Sequence, residues 1–82
     1  MTTLQDFHVE THGGICDLGR VVSVLALLDV TPLELKVQRG EIGLKIDLRI
    51  DESLRTSTLC VARLQALVSV SAATLRPAGA AA

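Results

Sequence analysis

Polar and apolar residues alternate along Asp6-Phe7-His8-Val9-Glu10, with Phe7 and Val9 on one face. This period of two predicts a half-buried strand that ends at the Gly13-Gly14 pair. From Asp17 the period changes: Leu18, Val21, Val22, Leu25 and Leu28 recur at the three- and four-residue intervals of one helical face, and Val24 widens the stripe. A first helix is therefore predicted from Asp17, the candidate N-cap, whose carboxylate can accept from free N–H groups of the first turn. Arg20 stands three residues on, so the reciprocal capping box is missing. After Asp29-Val30-Thr31-Pro32 the period returns to two, with Leu33, Leu35 and Val37 alternating with Glu34, Lys36 and Gln38 in a second strand. Ile42, Leu44, Ile46, Leu48 and Ile50 then alternate with Gly43, Lys45, Asp47, Arg49 and Asp51, the clearest strand signal of the chain. Gly40 between these runs predicts a hairpin turn with a positive φ. The run Asp51 to Leu67 opens with cap-prone and acidic residues and sets Leu54, Val61, Leu64 and Leu67 or Val68 on one side, a second helix. Its first turn is weakened by Thr56, Ser57 and Thr58, which are poor helix formers. Val68 to Ala72 alternates as a fourth strand, and the segment from Arg76 to the C-terminus has nothing to bury and is expected to fray. The domain is thus expected over residues 1–76, with a disordered tail at 77–82.

The order β-α-β-β-α-β with one polar sheet face predicts an α+β, ferredoxin-like two-layer sandwich: a four-stranded antiparallel sheet with two helices on one face. Its spatial order 4-1-3-2 leaves strands two and four as edges. A chain of 82 residues buries only about 60 to 65% of its unfolded surface. Open edges on so small an apolar domain invite pairing with another copy, so a homo-oligomer, at least a dimer, is expected.

Composition narrows the function classes. The chain is 49% hydrophobic and 21% charged with a net charge of -1, which fits a globular domain and offers no basic patch for nucleic acid. Phe7 is its one aromatic residue, so stacking platforms for bases cannot be built from this subunit. The longest apolar stretch, Val21 to Leu28, is interrupted by Ser23 and falls far short of the roughly 20 residues of a membrane span. The N-terminus has neither the basic start nor the apolar centre of a signal peptide, so a cytoplasmic location is expected, with Cys16 and Cys60 as free thiols.

A fold of this kind hosts many functions. An RNA-recognition motif needs aromatics on its middle strands, yet strand three reads "LKIDLRI". A metallochaperone needs two cysteines in the first loop, where Cys16 stands alone. Acylphosphatase-like chemistry needs an arginine and a carboxamide, and the first loop has no arginine while the chain has no asparagine.

The segment "LGRVVSVLALLDVTPLELKV", Leu18 to Val37, resembles the first helix and second strand of ACT domains, and "LQALVSV", Leu64 to Val70, resembles the close of their second helix and their fourth strand. Among ACT proteins, the short regulatory subunits of acetolactate synthase are the most similar in size and in these segments. The resemblance implies a non-catalytic regulatory domain without a cofactor, binding a small aliphatic amino acid to control the catalytic subunit of an amino-acid biosynthetic enzyme. It also implies where: the loop between the first strand and first helix, His12, Gly13, Gly14, Ile15, Cys16 and Asp17, with Asp17 as partner for an α-amino group. Physical chemistry agrees, because an α-carboxylate is stabilised by the N–H groups and positive dipole end of a helix start. The alternative is an assembly module of the same fold that has lost its effector site.

Other chemistry is less well supported by the pattern. His8, His12 and Cys16 are each four apart, a spacing that converges on a helix, but His8 lies on a strand and faces away from Phe7 and Val9. Cys16 with His12 and Asp17 would make a nucleophile, base and orienter only in a pocket that excludes water, which so shallow a domain does not offer. Cys60 reads as packing. Gly19 within the first helix costs roughly 1 kcal/mol relative to alanine, a cost that close approach of a backbone or ligand would explain, with drift as the alternative. Lys45, Asp47, Arg49 and Asp51 form the solvent side of strand three or, in a face-to-face assembly, cross-subunit ion pairs.

Overall fold

The computed structural model describes residues 2–67 and 70–77. Its elements run β1 (Thr3–Thr11), α1 (Ile15–Leu27), β2 (Glu34–Arg39), β3 (Leu44–Glu52), α2 (Leu54–Gln65) and β4 (Val70–Pro77). The strands form one antiparallel sheet in the order β2-β3-β1-β4, with Phe7 opposite Leu48 and Val9 opposite Ile46 in the central pair. This is the ferredoxin-like arrangement expected from the alternating pattern. Phe7, Val9, Ile46, Leu48, Ile50 and Ala73 line the sheet's inner face, against Val21 and Leu25 of α1 and Cys60 and Leu64 of α2.

Several boundaries and faces differ from the sequence expectation. Helix α1 starts at Ile15, three residues early, so Asp17 sits inside the first turn and the N-cap is Gly14, which has no side chain to cap with. The Asp17 carboxylate instead reaches back to accept the Gly13 N–H at 2.6 Å. Val22 faces outward, and the inner stripe of α1 is Asp17, Val21 and Leu25. Helix α1 closes on Asp29, whose φ of 56° is left-handed. The Val30 N–H donates to the Leu25 carbonyl at 2.8 Å and that of Asp29 to Ala26 at 3.1 Å, the paired bonds of a Schellman close. Gly40 has no positive φ, and Ile42 lies in the turn outside β3. Leu54 is exposed, because α2 begins there behind the Ser53 cap, whose hydroxyl accepts the Thr56 N–H at 3.2 Å, and buries Ser57, Cys60 and Leu64 instead. Strand β4 runs on through Pro77, opposite Gln5. Val68 and residues 78–82 lie outside the described residues.

The largest difference is β2. Alternation marks Leu33, Leu35 and Val37 for burial, yet they are 61%, 42% and 38% exposed, and all six residues of β2 are exposed. Helix α2 packs on β4 and β1, and α1 on β3, so the helical layer stops short of this edge.

Gly19 has no atom of the chain within 4 Å of where a Cβ would stand, which removes close approach of the chain's own backbone as the reason for it. Gly19→Ala is therefore expected to stabilise the fold by about 1 kcal/mol, read as a higher denaturant midpoint with an unchanged slope.

Candidate functional site

Strand β1 ends at the buried Thr11, where pairing with β4 shifts register. The Leu44 N–H donates to Thr11 Oγ1 at 3.1 Å, and the Gly40 N–H closes the β2–β3 turn on the Gly43 carbonyl at 2.6 Å. At Gly43 a Cβ would lie 2.0 Å from the Thr11 carbonyl oxygen and 2.8 Å from the His12 carbonyl carbon. Only glycine lets the turn approach the end of β1 so closely.

That approach lays the β2–β3 turn beside the β1–α1 loop. Between them lies an open cleft of about 520 Å³, lined by Gly13, Gly14 and Ile15 on one side and by Arg39 to Leu44 on the other. Ile15 and Ile42 are 72% and 82% exposed. The N–H groups of Ile15 and Cys16 open the first turn of α1, where no intrahelical acceptor exists. Among the described residues Arg39 and Glu41 are in no ion pair. The cleft is thus lined by a cation, an anion, the first residue of a helix and two exposed aliphatic side chains.

The six residues marked from sequence divide three ways. Gly13, Gly14 and Ile15 line this cleft. His12 lines a neighbouring one of about 320 Å³ on the other side of the turn, with Glu10, Thr11, Lys45 and Ser71. Cys16 is exposed and lines neither. Asp17 is buried; besides holding the Gly13 N–H it lies 3.6 Å from the Arg20 guanidinium, and it lines neither cleft. Sequence reasoning missed Arg39, Glu41 and Ile42. The signal was available: glycines at 40 and 43 bracket two residues, a connection that would have moved Ile42 from strand to turn.

His8 and strand β3 contribute elsewhere. His8 Nδ1 lies 2.7 Å from Asp47 and Nε2 3.3 Å from Glu10, and Arg49 donates to Asp6 at 2.9 Å, all on the face of the sheet away from the helices. The Asp6 carboxylate holds the Arg49 guanidinium still more firmly protonated through this hydrogen bond and its charge. Asp47 and Arg49 of β3 thus pair with His8 and Asp6 of β1, while Lys45 and Asp51 are in no ion pair among the described residues. Among the described residues no three His, Cys, Asp or Glu groups converge as a metal set, and no helix is long and apolar enough to cross a membrane.

The backbone is similar to the crystal structure of the ACT domain from GTP pyrophosphokinase of Chlorobium tepidum, with a TM-score of 0.81 over 93% of this chain and 100% of that chain, at 10% sequence identity. The chain has the ACT fold. No family model and no curated protein matches its sequence. On this ACT fold the cleft sits at one end of the sheet, where β1 and β2 finish and β3 and α1 begin.

The cysteines are free thiols in contrasting places. Cys16 is exposed, while Cys60 is fully buried and its thiol is pushed up to about 11 by burial. A disulfide reagent at mildly alkaline pH should consume one thiol quickly, at Cys16, and the second only as the chain unfolds. The raised value also sets a sign: the contribution of neutral Cys60 to stability is complete below its ordinary 9.0 and is lost as pH climbs to about 11. Cys60→Ala should lack that loss.

Proposed function

We propose that the protein is a non-catalytic regulatory domain that binds a small aliphatic amino acid in the cleft between the β1–α1 loop and the β2–β3 turn. The observation that carries the reading is the chemistry of the cleft wall. A zwitterion with an apolar side chain needs donors and a cation for its carboxylate, an anion for its ammonium group and aliphatic surface for its side chain. The start of α1 with Arg39, then Glu41, then Ile15 and Ile42 supply these in one place. His12 and Cys16 flank the site, and Asp17 steadies its loop through Gly13 rather than meeting the ammonium group.

The domain acts as a homodimer, through the edge strand β2 and helix α1, on a catalytic subunit of an amino-acid biosynthetic enzyme such as acetolactate synthase. The lengths and apolar segments shared with the short regulatory subunits of that enzyme support this choice. The ACT domain of similar structure comes from another enzyme, GTP pyrophosphokinase, so a pull-down should include both kinds of partner.

A second reading has its own observation. The Asp17 carboxylate already takes the Gly13 N–H, as a module that keeps the fold for assembly and has lost its effector would allow. A thermal-shift screen of the twenty amino acids separates the two. An amino acid at about 100 times its dissociation constant should add about 2.7 kcal/mol, a rise on the order of 10 °C for a domain of this size. The sensor reading expects this with valine, leucine or isoleucine, and expects Arg39→Ala to remove it. A flat response to all twenty leaves the assembly reading.

A further inference from the structure

We infer that strand β4 is an edge closed to strand addition by Gln65 and Pro77, so that a second copy of the chain cannot extend the sheet on that side. The closure follows from the way the backbone of β4 points. The Thr74 hydroxyl donates to the His8 carbonyl at 3.5 Å and the Ser71 hydroxyl to the Glu10 carbonyl at 3.1 Å, so both carbonyls of β1 face β4. In an antiparallel ladder, residues directly opposite alternate between pairs that exchange their backbone bonds and pairs that turn them away. Thr74 and Ala72, opposite His8 and Glu10, therefore bond to β1. Ala73, Leu75 and Pro77 turn their backbone groups to the outside of the sheet.

It is this outward set that is blocked. Gln65, the last residue of α2, donates its Nε2 to the Ala73 carbonyl at 3.1 Å. Ala73 is only 6% exposed although it stands on an edge strand. Pro77 has no N–H to offer an incoming strand. The pairing of β4 also shifts register between Glu10 and Thr11, an irregularity of the kind that turns an edge away from a straight partner. Side-chain bulk does not protect this edge: Ser71, Ala72, Ala73 and Thr74 are small and leave a hollow of about 290 Å³, with Gln65 in its wall. The other edge has none of these features. Pairing of β2 with β3 runs unbroken from Glu34 to Arg39, the strand contains no proline, and all six of its residues are exposed. Among the described residues no side chain donates to a β2 carbonyl. A domain with two open edges can add copies without end, whereas one closed edge halts growth along the sheet. This consequence rests on the dimer reading above; the closure of β4 does not.

The double variant Q65M/P77T of the whole chain tests the closure, because it keeps the length of residue 65, removes its N–H and restores the one missing at residue 77. Wild-type mass in sedimentation velocity should level off as concentration rises. The variant, shown to be folded by its circular dichroism melt, should keep growing to at least twice the wild-type mass. Hydrogen exchange locates the new contact: protection of the Ala73 and Leu75 amides should rise with concentration in the variant and stay constant in wild type. Should the double variant melt below the working temperature, Pro77→Thr alone, at the last residue of the strand, should give the same reading at Leu75 with a smaller rise. A folded variant that matches wild type in mass and protection overturns the closure, as does a wild type whose Ala73 and Leu75 protection rises with concentration. A monomeric wild type beside a variant that pairs at β4 overturns the dimer reading and leaves the closure standing.

Discussion

Gly43→Ala should lower stability by about 3 kcal/mol and the melting temperature by on the order of 12 °C or more, and should abolish any amino-acid response. The added methyl would lie 2.0 Å from the Thr11 carbonyl oxygen and 2.6 Å from its carbon. Both are backbone atoms of the central strand, which cannot swing aside as a side chain would. The β2–β3 turn must lift instead, breaking the Leu44 N–H bond to Thr11 Oγ1 and carrying Arg39, Glu41 and Ile42 away from the loop. Gly14→Ala is the milder comparison: nothing lies within 4 Å of its Cβ position, but φ -101° with ψ -146° is outside the regions that residues with a Cβ favour, so a loss well below that of Gly43→Ala is expected. Gly13→Ala falls between them, since its Cβ would meet only the Asp17 carboxylate, the end of a side chain.

Phe7→Ala should cost about 3 to 5 kcal/mol, measured by urea or thermal unfolding. Phe7 is the only aromatic residue of the chain, is 1% exposed and sits on a central strand opposite Leu48. Both helices face this sheet, so no mobile loop can fall into the void. A chain of this length has on the order of 4 to 12 kcal/mol of stability in all, so the variant should be largely unfolded at moderate temperature if wild type lies near the low end. Phe7→Leu, which keeps most of the apolar volume, should retain the fold with a smaller loss.

The central sheet was legible because its strands lie under the helices. Phe7 and Val9, and Ile46, Leu48 and Ile50, are buried as their alternation says. The same alternation in β2 announces a strand correctly and its burial wrongly, because period reports which side a residue faces and not whether a helix covers that side. Helix α1 shows a limit of another kind. Ile15 stands three residues before Leu18 and seven before Val22, so the apolar spacing already reached it, and the cap-prone Asp17 set the expected start too late, while the backbone turns at Gly14. Leu54 and Val22 show that an apolar residue at helical spacing can still face solvent when its stripe is wide. Of the candidate site, the loop half was legible from its glycines and the helix that follows. The half carried by Arg39, Glu41 and Ile42 was not, because it is brought there by the contact of Gly43 with Thr11, between residues distant in sequence.

The most direct test of the cleft as an effector site is a titration of the labelled full chain with isoleucine, valine and leucine, followed by amide chemical shifts. The account predicts saturable shifts concentrated at Gly13, Gly14, Ile15 and the turn from Gly40 to Gly43, with little change across the charged face around His8 and Asp47. Amides of the loop and turn that stay fixed at saturating concentrations of all three amino acids would contradict it, as would shifts confined to another surface.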